Sequence, residues 1–142
     1  MTSFAFIESP IGALLLRTDG EALTGVWMGA TDEDVTPGWM EDARQPVIAE
    51  AGVQLEQYFR GERRGFELPL RPRGTEFQRQ VWDELLKIPY GQTTSYGEIA
   101  KIIGKPLACR AVGAANGQNP LPIIVPCHRV IGASGALTGF GG

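Results

Sequence analysis

Apolar and polar positions alternate with a short period over the first thirty residues, and the period then lengthens. Apolar runs at 3-SFAFIES-9, 13-ALLLRT-18 and 22-ALTGVWM-28 are separated by Pro10-Ile11-Gly12 and Asp19-Gly20. Both separators are turn chemistry, so three strands in an antiparallel meander are predicted. Residues 30–45 are acidic, contain Pro37-Gly38 and read as a loop. In 46-PVIAEAGVQLEQYFRG-61 the spacing becomes helical. Ile48, Gly52, Leu55 and Phe59 share a face, Pro46 stands near the start and Gly61 past the end. Residues 61–74, GERRGFELPLRPRG, read as a linker carrying one short strand.

The second half is helical in pattern. Thr75 and Gln78 form a capping box ahead of an apolar face of Phe77, Val81 and Leu85, and Pro89-Tyr90-Gly91 ends that helix. Ser95 and Glu98 form a second box opening 95-SYGEIAKII-103, which Gly104 closes. Pro106 suits the first turn of a following helix that runs to about Gly117. Two short helices across a tight turn make a helix-turn-helix candidate. The second is rich in Ala and Gly; such a face fits close approach to a partner or packing against another helix. A short apolar strand is predicted at Leu121–Val125.

With 142 residues, the chain suits one domain or two small ones, read here as residues 1–70 and 74–142. No run approaches 18 consecutive apolar residues, so no membrane span is expected. The N-terminus lacks the basic start and long apolar middle of a signal peptide, and cytoplasmic residence is the expectation. Two cysteines are no disulfide framework, and with a single histidine they have no zinc-like spacing, so no metal is expected. The net charge of −3 is unevenly spread. Residues 1–70 carry five arginines against twelve carboxylates, and residues 71–142 eight basic groups against four acids. After Glu98 there is no acid, while Lys101, Lys105, Arg110 and Arg129 remain. Either surface charge is scattered by chance, or a polyanion meets the second half.

The only histidine, His128, directly follows Cys127 in 121-LPIIVPCHRVIGA-133. A cysteine reacts as its thiolate, and a nearby imidazole accepts the proton or stabilises the anion. Side chains at i and i+1 of a strand point to opposite faces, so the pair can cooperate only if the chain bends at Pro126 or a water links them. The alternative is a buried small hydrophobe beside a surface histidine. Asn119 lies eight residues upstream of Cys127, and the phenol of Tyr96 at the start of a motif helix is a possible proton donor. Cys109, beside Arg110, reads as a small helix residue without special chemistry.

The pentapeptide 126-PCHRV-130 resembles the active-site signature of the O6-alkylguanine-DNA alkyltransferases. The likeness extends to 74-GTEFQRQVWDELLKIPYGQTTSYGEIA-100, 110-RAVGAANGQNPLPIIVPCHRVIG-132 and 135-GALTGFGG-142, nearly all of the last 69 residues. It continues more loosely through SPIG at 9–12 and YFRGE at 58–62. It implies an α+β fold, with a ribonuclease H-like N-terminal domain of small antiparallel sheet plus helix and a winged-helix-like C-terminal domain. It implies direct-reversal repair of double-stranded DNA containing O6-alkylguanine, with O4-alkylthymine a possible second lesion, by a monomer that needs no cofactor. Cys127 would be nucleophile and irreversible alkyl acceptor, and His128 its base through water. Asn119 would brace the site, and Tyr96 would assist protonation of the departing guanine oxygen. Arg110 would fill the gap left by a flipped base, with Ala108, Ala111 and Gly113 close to the minor groove and Lys101 and Lys105 on the same basic flank. Val130, Phe140 and Gly141 would line the pocket above Trp82. The family's final helix, with a glutamate that holds the histidine, has no counterpart among the 142 residues. Two rival readings are a non-catalytic binder of alkylated DNA, whose known examples lack the cysteine, and a Cys-His hydrolase of acyl substrates.

Overall fold

The three apolar runs form strands β1 (Ser3–Ile7), β2 (Leu14–Thr18) and β3 (Leu23–Met28) in a computed structural model that describes residues 1–131. β2 pairs antiparallel with both neighbours, which is the expected meander. Its tight connection to β3 is held by Asp19 Oδ1, which accepts from the N–H groups of Glu21 and Ala22 at 2.9 Å. The chain divides into two compact units, Met1–Pro72 and Arg73–Gly142.

In the first unit the register sorts side chains by pleat. Phe6 faces Leu15, and Leu15 faces Trp27. Phe4, Leu15 and Ala30 are buried together there beneath Phe6, Trp27, Val35 and Trp39. The guanidinium of Arg17 lies 4.8 Å from the Trp27 ring centroid and donates to Thr24 Oγ1 at 2.8 Å. Helix α1 (Pro46–Phe59) packs on the opposite face, where Gly52 approaches Ile7. Its Ile48, Ala51 and Leu55 are buried, and the Gln45 side chain caps its first turn by accepting from Val47 and Ile48. The stretch 30–45 is more than the predicted loop. It holds a 3-10 turn at Asp32–Asp34 capped by Thr31, and then strand β4 (Met40–Glu41). β4 pairs parallel with β1, so the sheet, ordered β3-β2-β1-β4, is mixed rather than purely antiparallel. Two exposed residues carry no periodic signal, which is why the sequence hides this strand. The linker's short strand is a single bridge, Leu70 beside Leu23.

The second unit begins with α2 (Glu76–Leu85), whose Thr75–Gln78 capping box is complete. Val81, Trp82 and Leu85 are buried, and the Trp82 indole N–H donates to the Ala115 carbonyl at 2.8 Å. Strand β5 (Thr94–Ser95) leads into α3 (Tyr96–Ile102), which is followed by α4 (Cys109–Gly117). β5 pairs parallel with β6 (Val130–Ile131). The second capping box is half formed. Ser95 Oγ accepts from the Glu98 N–H at 3.1 Å, but the Glu98 carboxylate turns to Lys101, one helical turn on, at 3.6 Å. α3 ends with Gly104 at φ 80°, where the N–H groups of Gly104 and Lys105 bond the carbonyls of Lys101 and Ala100. This left-handed stop favours glycine. Pro106 then lies in a separate turn closed by Ala108 N–H on Lys105 O, so α4 starts three residues later than the proline suggested. Among the described residues no helix is long and apolar enough to cross a membrane.

Gly74 shows how tightly Trp82 is held. A Cβ there would stand 2.5 Å from the indole and 2.7 Å from the Gln78 side-chain oxygen that completes the cap. Gly74→Ala is therefore expected to destabilise the second unit by about 1–3 kcal/mol, the usual range for overpacking. Chemical denaturation monitored by tryptophan fluorescence measures this, and an unchanged midpoint would contradict the packing described.

Candidate active site at Cys127

Residues 119–125 fold around one side chain. Asn119 Oδ1 accepts from the Leu121 N–H at 2.9 Å, and its Nδ2 donates to the Val125 carbonyl at 2.8 Å. The Val125 N–H closes back on Leu121 O at 2.8 Å, and Ile123 sits at φ 76°, a left-handed conformation costly for a β-branched residue. The predicted strand at Leu121–Val125 is therefore a turn. Its apolar residues suggested a strand because Leu121, Ile124 and Val125 are buried, but Asn119 supplies the hydrogen bonds a sheet would have given.

The turn delivers the chain to Pro126, after which Cys127–Arg129 form one 3-10 turn. The bend required for a Cys-His partnership is thus present, and the two side chains are not on opposite faces of a strand. Cys127 is 6% exposed and His128 is half-buried. The Cys127 carbonyl accepts from the Val130 N–H and, at 3.3 Å, from Asn116 Nδ2. Arg129 Nη1 donates to the Ile88 carbonyl at 2.8 Å, and its guanidinium lies 5.5 Å from the Tyr90 ring centroid. These contacts tie the turn to the end of the α2 segment.

Burial raises the Cys127 thiol above its ordinary value, and the Asn119 side chain and the N–H groups of Cys127 and His128 oppose this. Burial, with the charge of Arg129 adding, lowers His128. The resting pair is therefore a neutral thiol beside a neutral imidazole at neutral pH. That imidazole is free to take a proton, which an imidazolium is not.

Tyr96 opens α3 buried, its ring against Gly113 and its Oη without a hydrogen-bond partner among the described residues. Gly113 thus meets a phenol inside the unit, the helix-packing role of small residues. A Cβ there would make ordinary contact at 3.6 Å. Val130 is buried in β6, and Trp82 lies at 1% exposure in the core. Phe140 and Gly141 lie outside the described residues. Arg110 and Ala111 are exposed in the first turn of α4, with half-buried Ala108 as its N-cap. Lys101 and Lys105 are exposed, and the Lys105 ammonium lies 5.3 Å from the Phe77 ring centroid. The chain thus gathers Asn119, Cys127 and His128 in one loop. The basic set lies at the other end of α4, about 9 Å along the axis from Arg110 to Asn116 at 1.5 Å per residue. Asn116 went unnoticed in the sequence. Its signal was a polar residue at the i+4 position of the buried face Val112, Ala115, Asn116.

Residues 3–72 match the model of the ribonuclease-like domain of 6-O-methylguanine DNA methyltransferase, and residues 76–142 match that of its DNA-binding domain. The chain belongs to the 6-O-methylguanine DNA methyltransferase family. A methylated-DNA–protein-cysteine methyltransferase of Methanosarcina acetivorans is 53% identical over 139 residues, covering 96% of this chain and 88% of the relative. The crystal structure of the Mycobacterium tuberculosis O6-methylguanine methyltransferase superposes with a TM-score of 0.87 at 52% identity, covering 100% of this chain and 86% of that one. A structure of the Mycobacterium tuberculosis OGT in complex with DNA gives 0.88 at 52% identity, covering 98% and 84%. The mixed α+β architecture is the one these methyltransferases share.

The opposed shifts fix a pH dependence. Because the folded thiol titrates above its unfolded value, alkylation of Cys127 by iodoacetamide should rise with a midpoint above the ordinary thiol range. Because His128 titrates below its unfolded value, its neutral form should persist as pH falls below 6.5, and the associated stability should be lost progressively from about 6.5, where the unfolded histidine protonates, down through the lowered folded value. Peptide mass spectrometry of Cys127 and NMR titration of His128 check both. A thiol midpoint below the ordinary range would contradict the burial.

Proposed function

We propose that this chain repairs double-stranded DNA by taking the alkyl group of an O6-alkylguanine onto Cys127, once per molecule. The observation that carries the proposal is the buried Cys127 thiol, followed by His128 in one 3-10 turn, in the unit that presents Arg110 on an exposed helix end. Sulfur forms a bond to the alkyl carbon as the carbon–oxygen bond breaks. The thiol proton passes through water to His128, and guanine leaves with the electron pair and a proton donated by Tyr96. The unpartnered Tyr96 Oη is suited to this, because it has no competing acceptor among the described residues. Asn119 braces the loop through Leu121 and Val125, and its side chain favours the thiolate.

A base inside a duplex cannot reach a buried thiol, so it must leave the stack. Arg110 occupies the gap, Ala108 and Ala111 let the backbone of α4 approach the minor groove, and Lys101 and Lys105 meet phosphates. Val130 and Trp82 support the pocket floor, and the products are a thioether and intact guanine. A thioether is not reversed by ordinary thiols, so the acceptor is consumed. One acceptor and one recognition helix complete the step, so the protein acts as a monomer.

Incubation with duplex DNA bearing radiolabelled O6-methylguanine should move label to the Cys127 peptide with at most one equivalent per chain. Sustained turnover, or tight lesion binding with no label on the protein, would overturn the proposal. Arg110→Ala should slow transfer from duplex DNA on the order of tenfold or more while leaving the reaction with free O6-benzylguanine near wild type, since only the duplex requires flipping. Equal slowing of both reactions would remove Arg110 from the flipping step.

A further inference from the structure

Asn116 has no part in the roles above, yet it is a polar side chain at 1% exposure whose Oδ1 has no hydrogen-bond partner among the described residues. An apolar residue of the same size would leave no such orphan. Its Nδ2 is engaged, donating to the Cys127 carbonyl at 3.3 Å. Asn119, three residues on, donates to the Val125 carbonyl at 2.8 Å. Two asparagines at the end of α4 therefore hold the backbone on both sides of Pro126 and the acceptor.

The peptide between Cys127 and His128 is planar, so the direction of the Cys127 carbonyl dictates the direction of the His128 N–H. That N–H, with the N–H of Cys127 itself, is among the groups that favour the thiolate. We propose that Asn116 is a positioning residue for alkyl transfer: by holding the Cys127 carbonyl it fixes the Cys127–His128 peptide so that its N–H faces the sulfur as charge builds there. A hydrogen bond to the carbonyl also polarises the amide and strengthens the N–H as a donor. The inference rests on Cys127 being the acceptor.

The surrounding ionisable groups leave room for this effect. On α2, Glu76, Arg79 and Asp83 are exposed, and Glu84 pairs with Lys87 at 2.9 Å. On α3, Glu98 pairs with Lys101 and only Tyr96 is buried; on α4, Cys109 and Arg110 are exposed. His128 and Arg129 belong to the acceptor turn itself.

The test compares Asn116→Leu and Asn116→Ala with wild type in the full chain. Without DNA, the pH midpoint of Cys127 alkylation by iodoacetamide should rise by about one unit in both variants, since each loses one thiolate-favouring orientation. At saturating O6-methylguanine duplex, single-turnover transfer should slow about tenfold, and the duplex Kd should stay within about twofold. Only Asn116→Ala, which also opens a cavity, should lose much Tm. A merely structural Asn116 would lower Tm and leave the midpoint in place, and an unmoved midpoint in either variant overturns the proposal. Failure of the wild-type chain to accept label would instead overturn the acceptor reading, and the midpoint comparison would still decide the role of Asn116.

Discussion

The second unit depends on the hydrogen bond from the Trp82 indole to the Ala115 carbonyl. A buried indole N–H left without an acceptor would be expensive, and the Ala115 carbonyl, which also accepts the Gln118 N–H at 3.2 Å, has a second lone pair to offer. The 2.8 Å contact satisfies both and fixes α4 against α2. Several parts around the site are then carried by α4 and the residues just after it. Arg110 projects from its first turn, Gly113 receives the Tyr96 ring, and Asn116 and Asn119 reach the acceptor loop from its last turn and beyond. A nine-residue helix thus links the exposed Arg110 to the backbone of Cys127.

Elements with a strong local cause were legible in the sequence. The three strands carry alternating apolar residues between turn-forming pairs, and α1 and α2 carry their own proline, glycine and capping signals. The PCHRV segment identified the family because several motifs recur in order with compatible spacing, and the fold class followed from it. Elements whose cause lies elsewhere in the chain were not legible. β4 exists because β1 offers an open edge. The start of α4 is displaced because Gly104 and Lys105 first complete the cap of α3. Leu121–Val125 has the composition of a strand, but Asn119 claims its backbone before any neighbour can.

The site divides along the same line. Cys127, His128 and Asn119 were named from the order of chemistry-bearing residues, and the 3-10 turn replaces the extended backbone that would have set consecutive side chains on opposite faces. Asn116 was hidden because asparagine near a helix end ordinarily reads as a cap. Only tertiary contact reveals that its amide faces inward toward the Cys127 carbonyl. Gly113 was read as a close-approach position, and the Tyr96 ring that a Cβ there would meet is a neighbour the sequence did not name.

The two thiols of this chain stand in opposite circumstances, Cys109 exposed and Cys127 buried. For a protein whose acceptor works once, any stray reaction at the acceptor is the loss of a whole molecule. Peroxides, quinones and other cellular electrophiles prefer accessible thiolates, and Cys127 is neither accessible nor readily ionised at rest. Its shelter sets a working lifespan: the molecule can remain intact among reactive metabolites until a damaged base is brought to it.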